Sequence, residues 1–106
     1  MYVATNESDG ITHITLEGEL NLETARAVTE AWDDRSTQSV VIDLRRLSFI
    51  DSQGVRALLQ LHYDSQREGV RLAMVRGSGQ IERVFELTRV GELLPLVDSP
   101  DRLGPG

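Results

Sequence analysis

The pattern of apolar and polar positions divides the chain into strand-like and helix-like segments. Residues 11–17 alternate between apolar and polar side chains, which is typical of a strand with one solvent-exposed face. Residues 40–44 are mostly β-branched or leucine, and this run predicts a strand that is buried on both faces. Arg45-Arg46 is expected to break this strand, and Phe49 and Ile50 are expected to return the chain to the core. Asp9-Gly10 is a typical hairpin turn, which would join residues 11–17 to a preceding strand. The remaining strand-prone runs are residues 2–5, 71–75 and 96–97.

Three other segments carry apolar residues at helical spacing. The first follows Asn21, a good N-cap residue, and is expected to end near Arg35. The second helix begins at Asp51 and Ser52, and Gly69 is expected to end this helix in a left-handed conformation. The predicted apolar positions are Leu22, Ala25, Val28 and Trp32 in the first helix, Val55, Leu58, Leu59 and Tyr63 in the second, and Ile81, Val84, Phe85 and Thr88 in the third.

These segments predict an α/β domain with a mixed sheet of four or five strands and about four helices, the last a short turn at residues 92–94. The strand at residues 40–44, the second helix and the strand at residues 71–75 form a βαβ unit, whose crossover should be right-handed. We expect a single domain over residues 1–98. Residues 99–106 contain two Pro and two Gly and are expected to be a flexible tail.

The amino-acid composition excludes several kinds of chemistry and argues against several kinds of partner. The chain has no Cys, so disulfide and thiolate chemistry are excluded, and all 11 basic residues are Arg, which excludes lysine chemistry. The net charge of -6 argues against a nucleic-acid partner. No apolar run approaches the ~20 residues of a membrane span, and residues 1–10 do not resemble a signal peptide. We therefore expect a cytoplasmic protein without metal, cofactor or membrane partner.

The most informative polar residues lie where the second helix begins. Asp51 and Ser52 can accept hydrogen bonds from the free N–H groups of a helix start, so Ser52 is expected near the surface. An exposed serine there can be phosphorylated by a separate kinase, which would supply nucleotide, metal and base. From the residues alone, a plain N-cap serine is the simpler explanation.

Two further residues point to the same corner. Gly54 lies in the first turn of a helix, where glycine costs up to ~1 kcal/mol relative to alanine, so we expect another backbone to approach closely there. Asn21 ends the neighbouring strand, which is expected to run parallel to residues 40–44, and should therefore lie beside Ser52. For Asn21, a partner-contact role and a simple N-cap role are equal alternatives.

Other chemistry-bearing residues give weaker signals. His62 lies on the second helix and is expected to be a packing residue, because no Ser or Asp is placed to form a triad with it. Gly77-Ser78-Gly79 resembles a phosphate-binding loop but has no Walker lysine, which argues against nucleotide binding.

Three motifs carry a family resemblance. Asp51-Ser52-Gln53-Gly54, with residues 47–50 before it, resembles the signature of STAS domains, especially the bacterial anti-sigma factor antagonists. Gly18-Glu19-Leu20-Asn21 resembles the Gly-Glu-Leu-Asp marker of the family, and residues 83–88 resemble its third-helix segment. The similarity extends over residues 12–97. Asn21 departs from the usual Asp, and Gln53 stands where a second Ser or Thr is frequent.

The resemblance implies a STAS fold and a non-enzymatic switch in transcription regulation and stress response. Ser52 would be the phosphoacceptor, with partner contacts at Asn21, Asp51, Gln53, Gly54 and Arg56. The partners would be an anti-sigma factor serine kinase and a PP2C-type phosphatase. Two alternatives stay open: a STAS subunit of a transporter or larger signalling complex, and an enzyme or nucleotide-binding domain of unknown substrate.

Overall fold

The protein is a five-stranded mixed sheet with three α-helices, as a computed structural model describes it for residues 1–101 and 103. The strand order is β1-β2-β3-β4-β5, so each strand lies beside its neighbours in the sequence. The antiparallel pair β1/β2 is joined through Asp9 and Gly10, both with positive φ, and the other pairs are parallel. The strands are β1 (Tyr2–Ser8), β2 (Ile11–Leu20), β3 (Ser39–Ile50), β4 (Arg71–Val75) and β5 (Leu96–Val97).

The helices follow the predicted positions, and only the first is shorter than predicted, at both ends. They are α1 (Ala25–Asp33), α2 (Ser52–Glu68) and α3 (Gly79–Thr88). Gly69 ends α2 with a left-handed φ of 70°, as predicted. The fourth expected helical segment is a single 3₁₀ turn at Val90–Glu92. The predicted βαβ unit is confirmed, because β3 and β4 are parallel and α2 connects them.

Strand β3 is longer than predicted and continues through Arg45-Arg46. Its core-facing residues lie two apart at first and then three apart, and they are Val40, Ile42, Leu44, Leu47 and Ile50. The change of spacing has a structural cause: β3 has one residue more than β2 between the pairs Thr15–Asp43 and Glu17–Arg46, and one more between Gly18–Leu47 and Glu19–Phe49. Two bulges therefore replace the predicted break.

Several predicted core positions are exposed. Leu22 precedes the first regular turn of α1, so the helical spacing does not apply to it. Phe49 faces outward because the second bulge turns Leu47 and Ile50 toward the core. On α2, Leu61 and Ser65 are buried and Tyr63 is exposed, so the buried stripe runs on the other side of Leu58 from the predicted one. Thr88 is also exposed.

Part of the predicted tail at residues 99–106 lies outside the described residues, and its flexibility stays a prediction. Ser99, Pro100 and Leu103, which are described, are half-buried. No helix in the described part of the chain is long and apolar enough to cross a membrane.

Candidate functional site

Ser52 is the first residue of α2 and is exposed, as the sequence predicted. Strand β3 ends two residues earlier at Ile50, so the serine lies at the carboxyl end of a central parallel strand. Its hydroxyl makes no hydrogen bond with another described residue. The Ser52 oxygen is therefore open to a visiting molecule.

Asp51 fixes the start of α2 and leaves its first donors free. The Asp51 carboxylate accepts a hydrogen bond from the Gly54 N–H at 2.9 Å, and the Asp51 N–H donates to the Leu20 carbonyl at 3.2 Å. The N–H groups of Ser52 and Gln53 have no acceptor within residues 1–101 and 103. Free N–H groups and the positive end of the helix dipole favour negative charge at this position.

Gly54 brings the first turn of α2 against the end of β2. A Cβ at this position would collide with the Leu20 carbonyl oxygen and would lie 2.8 Å from Ile50 Cγ1. The close backbone approach predicted for this glycine is thus present. Gly54 is buried and makes no outward contact, so the direct partner contact predicted for it is not available, and its structural role is the position that it gives α2.

Asn21 lies beside the Ser52 corner because Leu20 of β2 pairs with Ile50 of β3. Its Oδ1 accepts a hydrogen bond from the Thr24 N–H at 3.1 Å, and its own N–H donates to Thr24 Oγ1 at 2.9 Å. This reciprocal pair is a capping box. Asn21 therefore caps the turn that leads into α1, although the regular helix begins at Ala25 with Thr24 as its formal N-cap.

Gln53 and Arg56 line a shallow groove of about 280 Å³ between α1 and α2. Leu22 forms part of its α1 side and is 70% exposed. Arg56 is exposed and forms no ion pair with a described residue. The groove is lined by Leu22, Ala25, Thr29, Gln53, Arg56, Ala57, Gln60, Leu61 and Asp64.

Sequence reasoning placed two exposed apolar residues in the core. Leu22 lines the groove, and Phe49 is 42% exposed and lies two residues before Asp51. The signal for Phe49 was the three-residue spacing of Leu47 and Ile50, which leaves Phe49 outside the core-facing set. The exposed side chain of Leu22 gives the groove an apolar part.

The strongest electrostatic perturbation lies away from Ser52, on β3. Arg45 Nη2 and Nε donate to the Asp43 carboxylate at 2.7 and 3.0 Å, and the Arg45 N–H donates to it at 2.9 Å. Burial raises the pKa of Asp43, but the hydrogen bonds and charge of Arg45, with the charge of Arg46, outweigh burial and leave the pKa below its ordinary value. Asp43 in turn raises the pKa of Arg45. This pair is a structural ion pair at the first bulge.

The residues suggested for other chemistry are not brought together. His62 is half-buried on α2, and its closest ring contact is Tyr63, at 5.7 Å between centroids. Gly77 lies close to Ile81 and to the Leu44 carbonyl, so the Gly77-Ser78-Gly79 turn is packed against β3. Within the described residues, no three His, Asp or Glu side chains are grouped so that they could hold a metal ion.

Known proteins share this architecture. A model of the STAS domain family matches residues 2–102. An anti-sigma F factor antagonist from Paenibacillus polymyxa is 23% identical over 94 residues, which are 85% of this chain and 80% of that protein. The crystal structure of an anti-sigma factor antagonist from Mycobacterium paratuberculosis superimposes with a TM-score of 0.80 at 24% identity, over 96% of this chain and 89% of that one.

Two further structures show the breadth of the fold. The phosphorylated form of SpoIIAA, a Bacillus cell fate determinant, has a TM-score of 0.65 at 20% identity, over 92% of this chain and 91% of that one. A sulfate transporter family protein from Wolinella succinogenes has a TM-score of 0.76 at 18% identity, over 91% of this chain and 83% of that one. These likenesses establish the fold. Since the family model covers nearly the whole chain, the protein belongs to the STAS domain family.

Proposed function

We propose that this STAS protein is an anti-sigma factor antagonist that binds a serine-kinase anti-sigma factor while Ser52 is unmodified, and so releases the sigma factor. The observation that carries the proposal is the exposed, unbonded hydroxyl of Ser52 at the start of α2. The relatives from Paenibacillus and Mycobacterium, which bear the name anti-sigma factor antagonist, support the role.

Phosphorylation of Ser52 would switch the protein off. The bond between the γ-phosphorus of ATP and its bridging oxygen breaks, a bond forms to Ser52 Oγ, the hydroxyl proton passes to a base of the kinase, and ADP leaves. A PP2C-type phosphatase reverses the change, because water cleaves the phosphate ester to give serine and inorganic phosphate. Catalytic groups come from the partners, and the chain supplies the acceptor and the docking surface.

The corner is suited to carry the phosphate without unfolding. A phosphoserine adds ~1.5 to 2 negative charges at neutral pH, and the free N–H groups of Ser52 and Gln53 favour negative charge there. Asp51 has the opposite effect through like-charge repulsion, but its carboxylate is engaged with the Gly54 N–H. The fold is therefore expected to survive modification.

The partner surface would combine polar and apolar side chains around Ser52. Asn21, Asp51, Gln53 and Arg56 are the polar contacts, and exposed Leu22 supplies apolar area. A phosphate at the centre of such a contact would place negative charge where the partner has no positive charge to match it. A change of ~1.4 kcal/mol there is tenfold in affinity, which is enough for a switch.

Incubation with candidate kinases and ATP, followed by intact-mass measurement and peptide mapping, tests the assignment. We expect one added phosphoryl group on the peptide that contains Ser52, and none in the Ser52→Ala variant. Ser78→Ala is the matched control, because Ser78 is also exposed at the start of a helix. Unchanged phosphate incorporation in Ser52→Ala, or its loss only in Ser78→Ala, would refute the site.

A second candidate function keeps the fold and changes the assembly. The likeness to the sulfate transporter family protein supports a role as a STAS subunit of a transporter or larger signalling complex. Such a subunit would stay bound to one complex whatever the state of Ser52. Affinity purification from cells separates the two: transporter components, recovered without a serine kinase, would favour this second function.

A further inference from the structure

Arg56 differs from most arginines of this chain, because it has no carboxylate partner among the described residues. It is exposed on α2, and neither an ion pair nor a hydrogen bond joins it to another described residue. Most other arginines are paired with carboxylates, and those pairs involve Arg26, Arg35, Arg45, Arg46, Arg67, Arg76 and Arg89. The cation nearest in sequence to Ser52 is thus available for a new anion.

The helix places this cation on the same side as Ser52. Residues 52 and 56 are four apart within α2, so their side chains are neighbours one turn apart on its surface. An anion on the N-terminal residue and a cation on the C-terminal residue is the more favourable order for such a pair. A guanidinium matches phosphate oxygens in a two-pronged geometry that an ammonium does not offer.

We propose that Arg56 pairs with the phosphate on Ser52 and holds it against the first turn of α2. The inference rests on the proposed function, because it requires a phosphate at that serine. It assigns Arg56 two roles that exclude one another. In the unmodified protein Arg56 lines the α1–α2 groove with Leu22 and Gln53, and in the phosphorylated protein its guanidinium turns toward the phosphate.

The consequence is a switch with two simultaneous changes at one surface. Phosphorylation adds negative charge at Ser52 and also withdraws the positive charge that Arg56 offers a partner. The pairing stabilises the phosphorylated helix start, since it adds charge-assisted hydrogen bonds that the unmodified serine does not make. Asp51 and Arg56 form no ion pair in the structure, where Asp51 Oδ1 accepts from the Gly54 N–H at 2.9 Å.

The test installs phosphoserine at residue 52 during translation, so it needs no kinase. The second pKa of the phosphate, ordinarily near ~6, is measured by phosphorus NMR titration in the parent chain and in Arg56→Gln. A paired phosphate keeps its dianion to lower pH, so we expect the pKa to rise by about 0.2–0.4 unit on loss of the guanidinium. Arg83→Gln is the control, since Arg83 is also exposed and unpaired within the described residues but lies on α3.

Equal phosphate pKa values in the parent and in Arg56→Gln, with circular dichroism showing both folded, would overturn the pairing. An equal rise in Arg83→Gln would overturn it too, because the effect would then belong to the overall charge. The outcome is independent of the proposed function. If no kinase modifies Ser52, the titration still shows whether Arg56 pairs with a phosphate at that residue. If Arg56 does not pair with the phosphate, the proposal that a kinase phosphorylates Ser52 is unaffected.

Discussion

Gly54 is the residue at which the geometry of the whole corner is fixed. It has an ordinary negative φ, so its requirement is for space: the Leu20 carbonyl and Ile50 occupy the volume that a side chain would need. The carbonyl belongs to the sheet and cannot rotate away as a flexible side chain would. The position of Ser52 two residues earlier therefore depends on a glycine that makes no outward contact.

Gly54→Ala should destabilise the fold by about 1–3 kcal/mol, since the added methyl group overpacks a rigid site. Urea unfolding at neutral pH measures the change. Gly79→Ala is the matched control: Gly79 also lies in the first turn of a helix, and a Cβ there would meet nothing within 4 Å. The control is expected to be neutral or up to ~1 kcal/mol more stable. Equal stability of the two variants would contradict the close approach.

At the scale of elements, α2 is defined by specific residues at both ends. Asp51 caps its start, and Gly69 ends it with a left-handed φ of 70°, while a Cβ at Gly69 would meet nothing within 4 Å. The requirement at Gly69 is thus one of backbone conformation alone. Gly54 and Gly69 illustrate two different reasons for glycine in one helix.

Gly69→Ala should cost about 1 kcal/mol, because an L-residue is strained in the left-handed region. Gly69→Asn should cost less, since asparagine tolerates that conformation better. Thermal and urea unfolding of the two variants give the comparison. A neutral Gly69→Ala variant would show that the helix can end without the left-handed residue.

The sequence was sufficient to predict the order of elements and the exposed position of Ser52 at the start of α2. Strong local signals explain this success: Asp9-Gly10 for the hairpin, the apolar run at residues 40–44 for the central strand, and Asp51 and Gly69 for the ends of α2. The failures came where spacing was misread. A strand with bulges has no constant period, so Phe49 was assigned to the core although it faces outward.

The outward position of Leu22 could not be predicted from spacing either. Asn21 was correctly seen as a capping residue, but its box with Thr24 closes a turn before the regular helix, and Leu22 lies within that turn. Local capping signals do not report how many residues separate the cap from the first regular turn. The apolar part of the candidate surface could therefore be identified only from the structure.

At the scale of the whole molecule, one carboxylate among the described residues has a clearly shifted pKa. The hydrogen bonds and charge of Arg45 overcome the effect of burial and hold the pKa of Asp43 below its ordinary value of 3.8. Because the folded pKa is the lower one, the unfolded chain binds a proton first as pH falls. The stabilisation is present above about pH 4 and is lost as pH falls below 3.8 through the folded pKa.

Asp43→Asn should therefore lower the free energy of unfolding at neutral pH and flatten its decline between about pH 4 and pH 2. Urea unfolding across that range measures both effects. Asp33→Asn serves as the control, because Asp33 is exposed at the end of α1 and forms no ion pair among the described residues. An acid decline as steep in Asp43→Asn as in the parent would show that the Arg45 pair adds no stability.

In the proposed switch, one hydroxyl, Ser52 Oγ, controls association with a serine-kinase partner. Calorimetry under identical conditions measures the affinity of that kinase for the unmodified chain and for the chain with phosphoserine at residue 52. We expect the phosphate to weaken binding at least tenfold, or about 1.4 kcal/mol, while the melting curve shows a folded protein in both states. Equal affinities of the two folded forms would contradict the proposed switch.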